Sequence, residues 1–257
     1  MSELLDVRTQ DGVAVLTLDD PDRRNALTRQ LSAEIVAAVE RAEADEQVRA
    51  LVVTGNGRAF CAGADVGDLL AATEGDPTGV QLVYDAFGRI ADSPLPTIAA
   101  VNGAAVGAGM NLALACDVRV VATSGRFECR FLTIGIHQGG GHAWMLERLV
   151  GPQNAAAMLL FGEVVRAQDA VQRGLAWKVV EDAELLPTAL ALAGVAGGRS
   201  RELVTSIKDT LRTTPSLPAR SEAMAIETER QLHSLAQPAA AELLAGLRAS
   251  ISGAGTR

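Results

Sequence analysis

Residues Val101 to Asp117 read VNGAAVGAGMNLALACD. The apolar run TIAAV that leads into them, Thr97 to Val101, has the length and branching of a buried strand. A series of small residues follows, then an apolar segment of helical character that opens on Asn111. A second stretch repeats the design. RALVVTGNG, Arg49 to Gly57, reads as a buried strand ending in an Asn-Gly turn, and AFCAGADVGDLL, from Ala59, passes from small residues into a helix. A helix N-terminus leaves its first N–H groups unpaired and carries partial positive charge. Small side chains let a ligand oxygen reach such groups, and two such loops side by side would aim two donors at one oxygen. Two other readings stand beside this one. The glycines also suit close packing of helix on strand. Gly107-x-Gly109 is a fragment of a dinucleotide loop, without the third glycine and without an acid after the next strand.

The rest of the chain fits around these stretches. GVAVLTLDD, Gly12 to Asp20, is a strand followed by the turn DDPDRRN, and Thr28 caps a helix with Leu31, Ile35, Val36 and Val39 on one face. A helix is expected around Gln81 to Ile90, stopped by SPLP, and DVRVVAT, Asp117 to Thr123, is the next strand. This β-α-β-α order with short apolar strands predicts an α/β fold whose parallel strands are buried on both faces. Farther on, GPQNAAAMLLFG is a helix with Pro152 early, and RAQDAVQRGLAWKVV a short helix closed by Gly174 and followed by a strand. The remainder is rich in Ala and Leu. The expected division is a core of residues 1–195 and a helical region of residues 196–257.

With 257 residues, 48% hydrophobic and 21% charged, the chain has the composition of a globular protein. A net charge of -8 and the lack of a basic run argue against nucleic acid as a partner, so an anionic ligand needs a local cluster of Arg or Lys. No run approaches the ~20 apolar residues of a membrane span. MSELLDVRTQ lacks the apolar stretch of a signal peptide, so no membrane partner and a cytoplasmic location are expected. Three cysteines and three histidines show neither disulfide nor metal-ligand spacing, so no metal is expected.

In order along the chain, DPDRRNALT, AFCAGAD, TIAAVNGAAVGAG, CDVRVVA, TIGI with GGG, and RGLAWKVV resemble the crotonase superfamily of enoyl-CoA hydratases, isomerases and their relatives, over roughly residues 5 to 185. The resemblance implies a β/β/α spiral with a helical C-terminal trimerisation region. It implies an acyl-CoA thioester as ligand, no cofactor beyond the coenzyme A of the substrate, and a homotrimer or dimer of trimers. It makes an oxyanion hole from Ala64 N–H and Ala108 N–H, with Ala108 where a glycine is usual. It gives Arg23 and Arg24, with Ala26 and Leu27, to the coenzyme A channel, the arginines meeting phosphates unless they are merely a solvated turn. Ala62, Asp65, Val66, Val106, Gly107, Phe131, Ile136 and Gly139 then border the substrate.

The hydratases of this superfamily use two glutamates, three residues after the second donor and twenty residues beyond that. Those places hold Asn111 and Phe131. An amide cannot serve as a general base, though it can hold a water or cap a helix, and Phe131 can only form a wall. 4-Chlorobenzoyl-CoA dehalogenases and dienoyl-CoA isomerases place an acid at or near Gly139, so their chemistry is not supported. The remaining candidates are Tyr84 on a helix that roofs the pocket and His137 in the facing loop, each against a purely structural role. Asp68 and Glu74 are expected on a solvated helix face and Cys61 as a buried thiol. Glu128 and Arg130 flank Phe131 and would alternate away from its face along a strand. Three functions are therefore open: an enolate-stabilising enzyme of the hydratase/isomerase group with non-standard proton handling, a non-catalytic acyl-CoA carrier, and a thioester or C–C hydrolase.

Overall fold

The computed structural model describes residues 4–254 and divides into two compact units, one up to Gly198 and one from Arg199. The first unit opens with a hairpin. β1 (Leu5–Gln10) and β2 (Val13–Leu18) pair antiparallel across Asp11 and Gly12, both with positive φ, as a two-residue turn of this twist requires. Helix α1 (Arg29–Ala44) starts at Thr28, whose hydroxyl accepts from Leu31 N–H at 3.2 Å. β3 (Ala50–Gly55), β4 (Ala59–Cys61), α2 (Val66–Thr73), α3 (Thr78–Asp92), β5 (Thr97–Val101), β6 (Ala104–Val106), α4 (Ala108–Leu114), β7 (Val118–Ala122) and β8 (Arg126–Glu128) follow. Then come α5 (His142–Leu160), β9 (Val165–Arg166), α6 (Ala167–Gln172), β10 (Lys178–Val180) and α7 (Leu185–Gly197). α5 is two helical pieces: Gly151 is non-helical, and Pro152 begins the second piece where its missing N–H costs nothing.

The strands form two mixed sheets. Six run in the order β1-β2-β3-β5-β7-β10, and four in the order β4-β6-β8-β9. Only the β1–β2 and β8–β9 pairs are antiparallel. The inner strands β2, β3, β5 and β7 of the larger sheet are buried on both faces. Along β3, Leu51 and Val53 join the main core with Phe60, Phe127 and helix α1, while Ala50 and Val52 face Leu185, Ala189 and Ala193 of α7. Each of the leucines and valines contributes roughly 1.5–3 kcal/mol when fully buried. Helix α7 is thus a layer of the first unit, which ends at Gly198. The two sheets with their helices are the α/β, crotonase-like arrangement, and β4 and β6 deliver the two small-residue loops from neighbouring positions.

The second unit consists of α8 (Arg201–Thr213), α9 (Arg220–Leu235) and α10 (Pro238–Ala254). Arg230 ties α9 to α8 through Thr210 Oγ1 at 2.6 Å and an ion pair with Asp209. Leu232, Leu235, Leu243, Leu244 and Leu247 of α9 and α10 are exposed. Among the described residues, no helix is long and apolar enough to cross a membrane.

Candidate active site

The first loop, Cys61 to Asp65, is held from below by the segment before α1. Ala62 N–H donates to Arg24 O at 3.0 Å, Leu27 N–H to Gly63 O at 2.8 Å, and Asp65 N–H to Leu27 O at 3.1 Å. This is a parallel bridge between Leu27 and Ala64, which turns the Ala64 N–H to the opposite side. Asp65 Oδ1 caps α2 by accepting from Gly67 N–H at 2.8 Å. Beneath the loop Asn25, fully buried with a φ of 57°, donates from Nδ2 to the carbonyls of Asn56, Ala59 and Phe60.

The second loop leaves β6 and enters α4. Gly107 has φ 52° and ψ -116°, a glycine conformation, and Ala108 is the first helical residue. The helix therefore opens three residues earlier than Asn111, and the Ala108 N–H has no intrahelical acceptor. The two loops interlock. A Cβ at Gly109 would lie 2.2 Å from the Cys61 carbonyl oxygen, and one at Gly63 2.8 Å from that of Val106. These glycines are what lets the loops touch. Among the described residues neither Ala64 N–H nor Ala108 N–H has a protein acceptor, and both residues border one cavity of about 230 Å³.

That cavity also takes in Ala62, Val66, Leu69, Val83, Tyr84, Val106, Gly107, Asn111, Cys129, Arg130, Phe131, Ile136, His137 and Gly139. Asn111 does not cap its helix. Its Nδ2 donates to Gly139 O at 3.0 Å, and its Oδ1 is hydrogen-bonded to Nδ1 of His142. His142 Nε2 lies 3.2 Å from Cys129 Sγ, and the Phe131 ring meets the imidazole edge-on at 5.0 Å. The directions of these bonds follow from one atom. The Gly139 carbonyl can only accept, so it takes the amide nitrogen, and Oδ1 faces His142. Nδ1 must then carry the proton, and Nε2 accepts from the thiol. Desolvation drives His142 down to about 4, so the ring is neutral near pH 7. Cysteine, histidine and asparagine are also the residue types of a nucleophile with its base and orienting amide. Here burial pushes Cys129 up to about 12, which keeps it a thiol and a donor.

A family model described as enoyl-CoA hydratase/isomerase matches residues 8–247. The chain belongs to the enoyl-CoA hydratase/isomerase family. A probable enoyl-CoA hydratase of Mycobacterium tuberculosis is 52% identical over 206 residues, 79% of each chain. The 2,3-dehydroadipyl-CoA hydratase of Escherichia coli is 39% identical over 91% of this chain and 90% of its own. The crystal structure of an enoyl-CoA hydratase from Polaromonas sp. JS666 matches with a TM-score of 0.88 at 32% identity, covering 96% of this chain and 97% of that one.

On this hydratase/isomerase frame the residues singled out from sequence part into two groups. Ala62, Ala64, Val66, Tyr84, Val106, Gly107, Ala108, Asn111, Phe131, Ile136, His137 and Gly139 come together around the cavity. Arg23, Arg24, Ala26, Leu27 and Asp65 do not border it. Arg23 pairs with Asp20 at 2.7 Å, Leu27 is core, and Arg24 supports the first loop with its carbonyl. The Tyr84 hydroxyl rests on Gly139, 2.0 Å from where a Cβ would stand, so a side chain at 139 and this tyrosine exclude each other. His137 is exposed, and its Nδ1 lies 2.7 Å from the Gln138 carbonyl, which leaves Nε2 as its open acceptor.

Two expectations are corrected. Asp68 is not solvated: it is buried and accepts from Arg29 Nε at 2.6 Å, a partner brought from α1. Glu74 is exposed at the end of α2. Arg130 does not alternate away from Phe131, because β8 ends at Glu128 and the chain turns with φ 56° at Arg130. That turn puts Arg130 on the cavity, ion-paired to Glu128 at 2.7 Å. Cys61 is a buried thiol pushed up to about 12 by desolvation, with no base beside it. Sequence reasoning passed over His142, since GGGH at the end of a glycine run looks like loop. Its one signal was the second histidine five residues after His137.

Proposed function

We propose that this protein is an acyl-CoA enzyme that stabilises a thioester enolate between Ala64 N–H and Ala108 N–H, without the two glutamates of the hydratases. The observation that carries the reading is the pair of unspent backbone donors on one apolar cavity. Two preorganised donors at a developing oxyanion strengthen most in the transition state, and one such donor is worth about 10²–10³ in rate. Asn111 and Phe131 stand where the resemblance puts the glutamates, so hydration by paired carboxylates should be slow, each acid or base being worth about 10²–10⁴. Proton handling then falls to His137, through Nε2, or to the Tyr84 hydroxyl, both on the cavity. Arg23 and Arg24 are exposed on the approach through the first loop and suit coenzyme A phosphates.

No cofactor beyond the coenzyme A of the substrate enters this reading. A cytoplasmic homotrimer or dimer of trimers belongs to it too, supported by the exposed leucines of α9 and α10. A second reading, a non-catalytic acyl-CoA carrier, is favoured by one observation: Asn111 is locked in orientation by His142 and Gly139, and an amide moves no proton.

The test is mass spectrometry of 2-enoyl, 3-enoyl and 3-hydroxyacyl thioesters incubated with the protein in heavy-oxygen water, with Ala108→Pro as control. Turnover that the control abolishes supports the enzyme, and the position of the label separates hydration, isomerisation and hydrolysis. Tight binding of one chain length with no turnover leaves the carrier.

A further inference from the structure

We infer that Asn111 presents one amide N–H to the bound acyl group as a fixed donor, that His142 is the positioning residue that fixes it, and that the pocket therefore selects acyl thioesters carrying an acceptor oxygen on C3. The inference rests on the acyl-CoA reading above and adds the substrate class. Asn111 has two amide hydrogens. One goes to the Gly139 carbonyl, and among the described residues the other has no partner. The side chain is 1% exposed, yet the residue borders the cavity. An amide hydrogen left unspent in a residue that borders a cavity also lined by Val66, Val83 and Phe131 is costly, and a ligand oxygen relieves the cost.

The amide cannot turn to offer its oxygen instead. Rotation would set Oδ1 against the Gly139 carbonyl, acceptor against acceptor, and would aim the NH₂ at the Nδ1–H of His142. His142 is itself held, by the Cys129 thiol at Nε2 and by the Phe131 ring edge-on. A glutamate at this place offers acceptors to the substrate. The asparagine locked by His142 offers a donor.

Position gives the carbon. Asn111 follows Ala108 by three residues on α4, which places both on one helix face. The rise between them is about 4.5 Å. A side chain leans toward the helix N-terminus, that is, toward the Ala108 N–H. A thioester oxygen on Ala108 therefore brings a substituent on C3, rather than one far along the chain, within reach of Asn111 Nδ2. A hydroxyl or a ketone at C3 fits, and a saturated or plain enoyl chain leaves the donor unpaired.

Isothermal titration calorimetry with butyryl-CoA, 3-hydroxybutyryl-CoA and acetoacetyl-CoA tests this on the full chain. The wild type should bind the better of the two oxygenated thioesters about tenfold more tightly than butyryl-CoA, the worth of one hydrogen bond. Asn111→Leu should bring that ratio to about one. His142→Phe should lower it several-fold, and His142→Gln, which can still donate to Oδ1, should restore part of it. A general packing defect would weaken all three ligands together and leave the ratio alone. Equal binding of the three by the wild type overturns the inference, as does a ratio that survives Asn111→Leu or His142→Phe. If the variants do not fold, the side-chain amide signals of Asn111 in the wild type decide. One Nδ2 proton should shift with acetoacetyl-CoA and stay with butyryl-CoA, and equal shifts overturn the inference. Failure of every thioester, butyryl-CoA included, to bind would overturn the acyl-CoA reading itself.

Discussion

One wall of the cavity is made of main chain and the other of side chains. The first is the interlocked pair of loops, where Gly63 and Gly109 let two backbones touch and two alanines offer N–H groups. The second is Asn111, Cys129 and Phe131, with His142 bonded behind them and Asn111 hung from the Gly139 carbonyl. The comparison teaches where change is permitted. A main-chain donor is indifferent to its own side chain, so the donor proposed at Ala108 does not need a glycine there. A side-chain wall does whatever its residues do, and here it holds an amide and a neutral imidazole. The proposed oxyanion donors and the side-chain network beside them are thus carried by different atoms.

The largest effect should come from closing the gap between the loops. Gly109→Val puts carbon 2.2 Å from the Cys61 carbonyl, against backbone that cannot give. Overpacking of this kind costs about 3 kcal/mol. Denaturant unfolding should record that loss and calorimetry the loss of thioester binding; unaltered binding would break the claim that the loops must touch. Next is Ala108→Pro, which deletes one donor at a helix position that tolerates proline. Turnover should fall about 10²–10³-fold. The melting temperature should move by no more than about 4 °C. A larger drop in stability than in rate would assign that N–H to folding.

The side-chain wall is probed by pH. His142 sits near 4 in the folded chain against an ordinary 6.5, so folding holds it neutral. The stability this represents is complete above pH 6.5 and is lost as pH falls toward 4, because the unfolded chain binds the proton first. The loss amounts to about 3 kcal/mol. Urea titrations at pH 7 and pH 4.5 should show it in the wild type and show less of it in His142→Gln; parallel behaviour would mean the imidazole is not held as described. The smallest effect is expected from alkylation. With Cys61 and Cys129 near 12, about one molecule in ten thousand is thiolate at pH 8. Iodoacetamide should leave both unlabelled in the native protein, and rapid labelling of Cys129 alone would make it a nucleophile after all.

The loops, and the strands that became β2, β3, β5 and β7, were legible because buried parallel strands are unbroken apolar runs. β1 was not: apart from Leu5 and Val7 it is polar and lies at a sheet edge, and its one signal was the Asp-Gly turn that follows it. β4, β6 and β8 have three residues each, too few for a period. The backbone side of the candidate site came from local pattern. The Asn111–His142 pair spans 31 positions and the Arg29–Asp68 pair 39, distances over which one sequence shows no relation. Arg130 was misplaced because alternation was carried past the end of a strand.

A peptide carbonyl does not titrate. The Gly139 oxygen therefore fixes the sense of every hydrogen bond from Asn111 back to Cys129, and only protonation of His142 adds a second donor on that ring. With the imidazole 1% exposed, the Nδ1 proton is shut off from solvent exchange. In a nuclear magnetic resonance spectrum it should stand as a single, slowly exchanging downfield line, present at neutral pH and silent to salt, and a reporter of how one main-chain oxygen is oriented.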